Sequence, residues 1–485
     1  MLNSKKIDMK KILFLLLFAI VANSCDKDFG DLNVDKKNPA EVPPGPLFSY
    51  AQKELIDVMT TPNVNVGIFR LLSQYWTETT YTDEANYDLA TRNIPQNFWN
   101  TIYPNVLNNL KECQRLIPSQ DLAFVPKEQQ DNQNACAEIL NVYAYMVLVN
   151  TFGDIPYTQA LDINNIYPKY DDGQEIYNDL ADRLDRAISS IDENAGGFDG
   201  NDLLYGGDMA GWKKFANSLK LYLGMMLADV DANKAKNLVE QAAPNVISSN
   251  AENVAFHYLS SPPNTNPVWV DLVQSGRKDF VAANTIVDFM TNLNDPRIPL
   301  YFTTDANGGY SGGIYAASNN YATYSKPSER ITAPDNEALL MDYAEVRFLL
   351  AEAVERGFNV GGTAAEHYEA AIRASIEYWG GSTTDADTYL ANPDVAYATA
   401  PGDWRTKIGN QKWIALYNRG FEGWTEWRRL DAPTLNVPDG LTYNDIPKRY
   451  TYPVQEQTLN AANWRSSTNN GVNDVVTNRL FWDVQ

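Results

Sequence analysis

"AAEHYEAAIRASIEYW", residues 364–379, decides how the chain folds. Tyr368, Ala371, Ile372, Ser375, Ile376 and Trp379 fall at offsets 0, 3, 4, 7, 8 and 11, one continuous face of an α-helix. Small residues on that face let a second helix approach closely. Immediately upstream, "DYAEVRFLLAEAVERG" (342–357) is equally periodic and ends on Gly357, a helix stop. The two segments predict an antiparallel helical hairpin joined through Gly361 and Gly362.

Working outward, similar pairs recur. "NACAEILNVYAYMVLVN" (134–150) precedes "QEIYNDLADRLDRAISSI" (174–191), and "GWKKFANSLKLYLGMMLAD" (211–229) precedes "NKAKNLVEQAA" (233–243). An upstream helix, "TIYPNVLNNLKECQRLI" (101–117), leads the series. Helix pairs with alanine on their inner faces predict an all-α fold of stacked, tetratricopeptide-like pairs in a superhelical scaffold, although the strict 34-residue consensus is absent. Residues 256–333 are rich in Asn, Gly, Ser, Pro and Tyr, and 380–411 and 431–485 also read as loop. A helical scaffold with long irregular insertions carries its binding surface on the insertions.

The chain of 485 residues carries a formal charge of −22, with 44% apolar and 12% aromatic residues. That composition supports a sizeable core and excludes nucleic acid as a partner, which needs a basic footprint. Lys10 and Lys11 followed by the apolar run Ile12–Val21 form an export leader, too short to span a bilayer. Met9 is a second candidate start. Ala22-Asn23-Ser24-Cys25 then reads as a lipoprotein cleavage site, with Cys25 the acylated residue. Cleavage there would leave 35 basic and 60 acidic residues, a charge of −25, which disfavours acidic glycans as ligands. A polar, Pro-rich stretch ending in "PPGP" at Pro46 reads as a tether. The expected organisation is a signal peptide over 1–24, an acylated tether over 25–46 and a ligand-binding domain over 47–485. Cys113 and Cys136 lie in helical segments flanking a polar loop; a disulfide between them and two buried thiols are both open.

Motifs for catalysis or metals do not hold up. "GYSGG" (309–313) has the G-x-S-x-G pattern, but turn residues flank it where a nucleophile elbow needs a strand and a helix, and only His257 and His367 could serve Ser311 as base. "DVDANKAKNLVE" (229–240) has calcium-loop spacing with Lys234 in place of the required glycine. Glu422 and Glu426 share one helical face, where they cannot flank a sugar from two sides, and Arg428 and Arg429 stand beside them. The chain reads as a non-enzyme with no cofactor and no metal site. The remaining signal is aromatic. "SQYWTETTYTDEANYDL" (73–89) and "LYFTTDANGGYSGGIYAASNNYATY" (300–324) set rings among short polar residues. Trp76, Tyr81, Tyr87, Tyr301, Tyr310, Tyr315 and Tyr321 are the candidate ligand-binding residues, since rings stack on sugar C–H faces or peptide planes while Asn and Asp bond hydroxyls or amides.

Six blocks in order, "NTFGDIPYTQAL" (150–161), "GWKKFANSLKLYLGMMLADVD" (211–231), "NDPRIPLYF" (294–302), "YAEVRFLLAEA" (343–353), "IGNQKWIALYNRGFEGWTEWRRLDAP" (408–433) and "PKRYTYPVQEQTLNAANW" (447–464), resemble the SusD/RagB family of outer-membrane nutrient-binding lipoproteins, in its second SusD-like branch. The resemblance implies a scaffold of tetratricopeptide-type pairs with a loop-rich binding face. It also implies a partner, a SusC-like TonB-dependent transporter over which the lipoprotein sits as a lid on the extracellular face of the outer membrane. The expected ligand is an oligosaccharide, with an oligopeptide as the alternative. A surface hydrolase or a repeat scaffold binding only proteins are the readings from other classes. The blocks are scaffold, so no ligand residue transfers through them.

Overall fold

Gly357, Gly361 and Gly362 take φ of 77°, 76° and 66°, the left-handed region that strains any residue with a Cβ. Between them the chain reverses, joining helices Tyr343–Glu355 and Ala364–Tyr378. Thr363 and Glu366 close the second helix with a reciprocal capping box. The face read from the sequence is the buried one, from Tyr368 to Ile376, and Trp379 just beyond it is buried too. Ser375 also accepts a hydrogen bond from Arg297 at 3.0 Å. Arg297 is fully buried and held by Asp295 at 2.6 Å, so the "NDPR" block is an internal ion pair tying the long insertion to this hairpin.

The computed structural model describes residues 42–484. The leader (1–24), Cys25 and the tether up to residue 41 lie outside the described residues. From Pro44 onward ten longer helices carry the architecture: α1 (Pro44–Thr60), α2 (Asn108–Leu116), α3 (Lys127–Phe152), α4 (Gly173–Ser190), α5 (Met209–Met226), α6 (Ala232–Ala242), α7 (Tyr343–Glu355), α8 (Ala364–Tyr378), α9 (Trp404–Ala415) and α10 (Gly420–Leu430). The pairs α3/α4, α5/α6 and α7/α8 pack together as their periodicity predicts, and α1 with α2 and α9 with α10 add two more. The first helix opens at Pro44, inside the "PPGP" read as the end of the tether. The scaffold thus starts three residues before the expected domain boundary, because proline fits the first turn of a helix.

Helix α3 has the length and composition of a membrane span, yet 94% of its apolar window is buried in the fold, and it serves as the central core helix. Residues 380–411 are less loop-like than expected. A helix runs from Thr383 to Leu390 with a Ser382/Asp385 capping box, and α9 starts at Trp404. Only Ala386 and Tyr389 of the short helix are buried, so it shows no legible apolar stripe. Among the described residues six short strands form three antiparallel ladders: β1 (Trp76–Glu78) with β5 (Phe280–Ala282), β2 (Ile155–Pro156) with β3 (Tyr170–Asp171), and β4 (Val254–Phe256) with β6 (Ala338–Met341). They fasten the insertions to one another.

The helix pairs are cross-linked by buried charge. Arg429 of α10 bridges Glu352 of α7 and Glu426, which also takes Lys412 of α9 at 2.9 Å. Glu352 meets Arg356 at 2.8 Å, and Arg356 meets Asp229 at 2.7 Å. Such a chain is tolerable in the core only because every member has an opposite charge in reach. It accounts for Glu426 as a structural ion-pair partner. Glu422 accepts from Tyr143 at 3.0 Å beside Arg419. The calcium-loop pattern dissolves in the same way: Asp229 is spent on Arg356 and Arg405, Asp231 caps α6, and Glu240 accepts from the Asn359 amide. Cys113 and Cys136 are two free, buried thiols. Cys136 Sγ lies 3.9 Å from Met209 Sδ of α5.

Candidate ligand-binding face

The site is organised by the β1/β5 ribbon, in which Trp76, Thr77 and Glu78 face Ala282, Val281 and Phe280. Thr79, just past the strand, is its knot. Its amide donates to the Asp279 carbonyl (2.9 Å) and its hydroxyl to the Lys278 carbonyl (2.7 Å). Its own carbonyl accepts from the Asn319 amide and the Ser318 hydroxyl. The Asn319 side chain donates to the carbonyls of Glu78, Ile314 and Ala317. Three segments distant in sequence, 76–92, 276–283 and 305–325, are thereby laced into one face.

The glycines of "GYSGG" serve this lacing. Gly313 bridges Ala283, and a Cβ on Gly312 would lie 2.3 Å from the Asn284 nitrogen, closer than packed atoms approach. The Ser311 hydroxyl donates to Asp305 (2.8 Å), while His257 faces Glu337 and His367 meets the Gly361 carbonyl. Serine and histidine are therefore committed to separate local contacts.

The seven candidate rings divide. Trp76 is fully buried, its Nε1 donating to Tyr417 Oη at 3.0 Å. Tyr301 is fully buried, stacked on Tyr417 with its hydroxyl donating to the Ile414 carbonyl. Tyr315 is buried and donates to the Leu71 carbonyl. These three are corrected from ligand residues to core: a large buried ring with a long-range hydrogen-bond partner stabilises the loop–scaffold joint and offers no face to a ligand. Tyr87 is half-buried against Ala85, Ala283 and Tyr315. Tyr310 and Tyr321 are half-buried, and Tyr81 is 68% exposed. The ring with a free face beside the ribbon is Tyr81.

A groove starts at Tyr81. Its first part is a narrow crevice between Tyr81, Glu78, Arg92, Arg277, Asp279 and Val64. It continues through Asn63, Asn65 and Leu272, sharing Val64, Arg92, Arg277, Asp279 and Phe280 with the first part. It then widens past Asn63 and Asp271 into a cleft of about 840 Å³, open to solvent, bounded by Lys53, Asp57 and Pro267. The walls alternate guanidinium and carboxylate with small apolar surface, a lining suited to a neutral, hydroxyl- or amide-rich chain. Arg277 is held by Asp279 at 2.6 Å. Glu78 is buried and accepts from the Ala85 amide at 3.0 Å. Burial, then its hydrogen bond to Glu84, pushes its carboxyl far above the usual range. Glu84 in turn pairs with Arg92. The groove floor is close to neutral despite four charged residue types. A separate hollow of about 520 Å³ between Met59, Glu337, Trp379 and Arg419 is structural: Arg419 is engaged by Glu345 at 2.8 Å, Asp342 and the Leu340 carbonyl.

Arg92, Arg277, Asp279, Asn63 and Val64 were not read from the sequence as site residues. Each is an ordinary loop residue, and only the ribbon brings them to Tyr81.

No curated protein matches the chain. Among solved structures, a chitin-binding SusD homologue from Flavobacterium johnsoniae is 26% identical, with 91% of this chain and 98% of that one aligned and a TM-score of 0.75. A SusD homologue from Bacteroides uniformis is 25% identical, with 91% and 99% aligned and a TM-score of 0.78. A further chitin-binding protein, 24% identical, aligns over its whole length with a TM-score of 0.78, which shows the shared fold. The family profile described as SusD-like, starch-binding and associating with the outer membrane covers residues 36–453, and the chain belongs to this SusD-like family.

Proposed function

We propose that the protein is a cell-surface lipoprotein that captures an oligosaccharide in the groove beside Tyr81 and, as the lid of a SusC-like TonB-dependent transporter, delivers it across the outer membrane. The observation that carries this reading is the continuous groove running from an exposed tyrosine face along paired Arg and Asp side chains. Chitin binding by the Flavobacterium homologue supports a sugar over a peptide as its occupant. Capture and closure need no bond to be made or broken. Residues 1–24 are the leader, Cys25 carries the acyl chains, and the tether runs to about Pro43, where the scaffold begins. Each buried CH₂ of an acyl chain contributes about 0.8 kcal/mol to anchoring, and the tether keeps captured ligand beside the pore at high effective concentration.

Binding is tested by calorimetry on a panel of neutral oligosaccharides and oligopeptides. Binding of at least one sugar series, weakened by Tyr81→Ala, supports the reading; binding of peptides alone replaces the ligand class. The lid role is tested by gentle extraction from native membranes, where a barrel-sized partner should co-purify. Cys25→Ser should release the protein from the membrane fraction, and its continued retention would refute the anchor.

A further inference from the structure

We infer that an anion-accepting subsite lies at Tyr321, on the insertion laced to β1, and that the captured glycan carries a carboxylate or sulfate group there. The inference rests on the glycan-capture reading and deepens it. Lys278 Nζ lies 5.7 Å and Lys326 Nζ 5.2 Å from the centre of the Tyr321 ring. Neither ammonium has a carboxylate within ion-pair distance among the described residues. The contrast with the neighbouring residue is direct: Arg277, next to Lys278, is neutralised by Asp279 at 2.6 Å. A ring attracts an ammonium through its quadrupole but carries no net charge. Tyr321 therefore gathers two cations and leaves both uncompensated.

The main chain at both lysines is held by hydrogen bonds. The Lys278 carbonyl accepts from the Thr79 hydroxyl, and the Lys326 carbonyl accepts from the Thr303 amide. Tyr321 stands two residues from Asn319, the side chain that laces the insertion to β1. The pair of charges is thus built into the same lacing that forms the groove wall, and Lys278 lies between Arg277 and Asp279, which line it. The net charge of the chain argued against acidic ligands, but that argument acts at long range. At physiological salt, fields from exposed charges are screened beyond about 8 Å, so an anionic group at Tyr321 meets the local ammoniums rather than the distant acidic surface. A sugar carboxylate or sulfate ester can take either ammonium, since each is a point donor without geometric demand.

The test uses matched sugars: chitohexaose and its 6-O-sulfated form, and cellohexaose and the corresponding hexauronate, titrated into the full mature domain at 50 mM salt, with an Asp-rich octapeptide as a further probe. In at least one pair the anionic member should bind at least tenfold more tightly than the neutral one. That ratio should fall to about twofold in the double variant Lys278→Gln/Lys326→Gln and in the wild type at 500 mM salt, with the thermal transition of the variant unchanged. Neutral sugar bound with no anionic preference overturns the subsite and leaves glycan capture standing. So does a preference that survives the double substitution. Failure of all the sugars overturns both, and tighter binding of the octapeptide than of any sugar overturns the sugar assignment.

Discussion

Tyr81→Ala and Trp76→Ala are chemically alike, lie five residues apart, and should have opposite consequences. The Tyr81 ring is 68% exposed. Taking about 200 Å² for a tyrosine side chain, roughly 130 Å² of it meets solvent, and a flat ligand laid on one face would cover about half of that. At about 25 cal/mol per Å² the covered area is worth ~1.6 kcal/mol, a loss of about tenfold in affinity on truncation. Folding should change by no more than about 0.5 kcal/mol, as at other exposed positions. Trp76 is fully buried, donates to Tyr417 at 3.0 Å and packs under Arg70 at 4.9 Å from its ring centre. Its removal leaves a cavity in the ribbon's attachment, at a cost of about 3–5 kcal/mol. Any affinity it loses would follow from unfolding. The assay is a pair of measurements on each variant, oligosaccharide titration by calorimetry and denaturant unfolding. Tyr81→Ala with wild-type affinity for every sugar that the parent binds, or Trp76→Ala with wild-type stability, would refute the division of the rings into surface and core.

Three further outcomes follow from the buried chemistry. Because Glu78 binds its proton more tightly when folded, the folded state holds more protons than the unfolded one from about pH 4.3 upward to its raised value, so this group's contribution to stability is lost as pH rises through that window; Glu78→Gln should flatten the decline of unfolding free energy between pH 6 and 8.5 relative to wild type, by up to about 1.4 kcal/mol per pH unit. Burial alone would raise the Glu352 carboxyl, but Arg429 and Arg356 overcome it and hold it at about 2; its contribution is present above the ordinary glutamate range and lost as pH falls toward 2, and Glu352→Gln should cost about 3 kcal/mol or more at pH 7 in urea unfolding. Burial pushes the Cys113 thiol up to about 12 and that of Cys136 well above its ordinary value, so a thiol reagent at pH 8 should leave both unlabelled in the native domain and label both in guanidinium; a disulfide-linked pair would label neither without reductant.

The helix pairs were legible because their information is local. A 3.6-residue stripe such as Tyr368–Trp379 and the glycines after α7 act within one or two turns, and the structure buries that same stripe between those same glycines. The resemblance carried by the six blocks extended this to the whole scaffold, and the blocks prove to be its buried fasteners: Arg297 on Asp295 and Ser375, and Arg429 on Glu352 and Glu426. The Thr383–Leu390 helix escaped notice because two buried side chains make no stripe.

The aromatic loops were legible as a region but not residue by residue. Trp76 and Tyr81 sit in the same polar stretch with the same local company, yet one faces Ala282 across a ladder while the other faces solvent. Sequence alone determined an acidic, helix-paired scaffold with ring-bearing insertions, since periodicity, caps and charge are properties of neighbours along the chain. Only the tertiary structure decided which rings are free, that Arg92 and Arg277 share a groove, and that Lys278 and Lys326 both approach the Tyr321 ring. Burial and charge pairing in a loop are set by partners hundreds of residues away, and no local pattern encodes them.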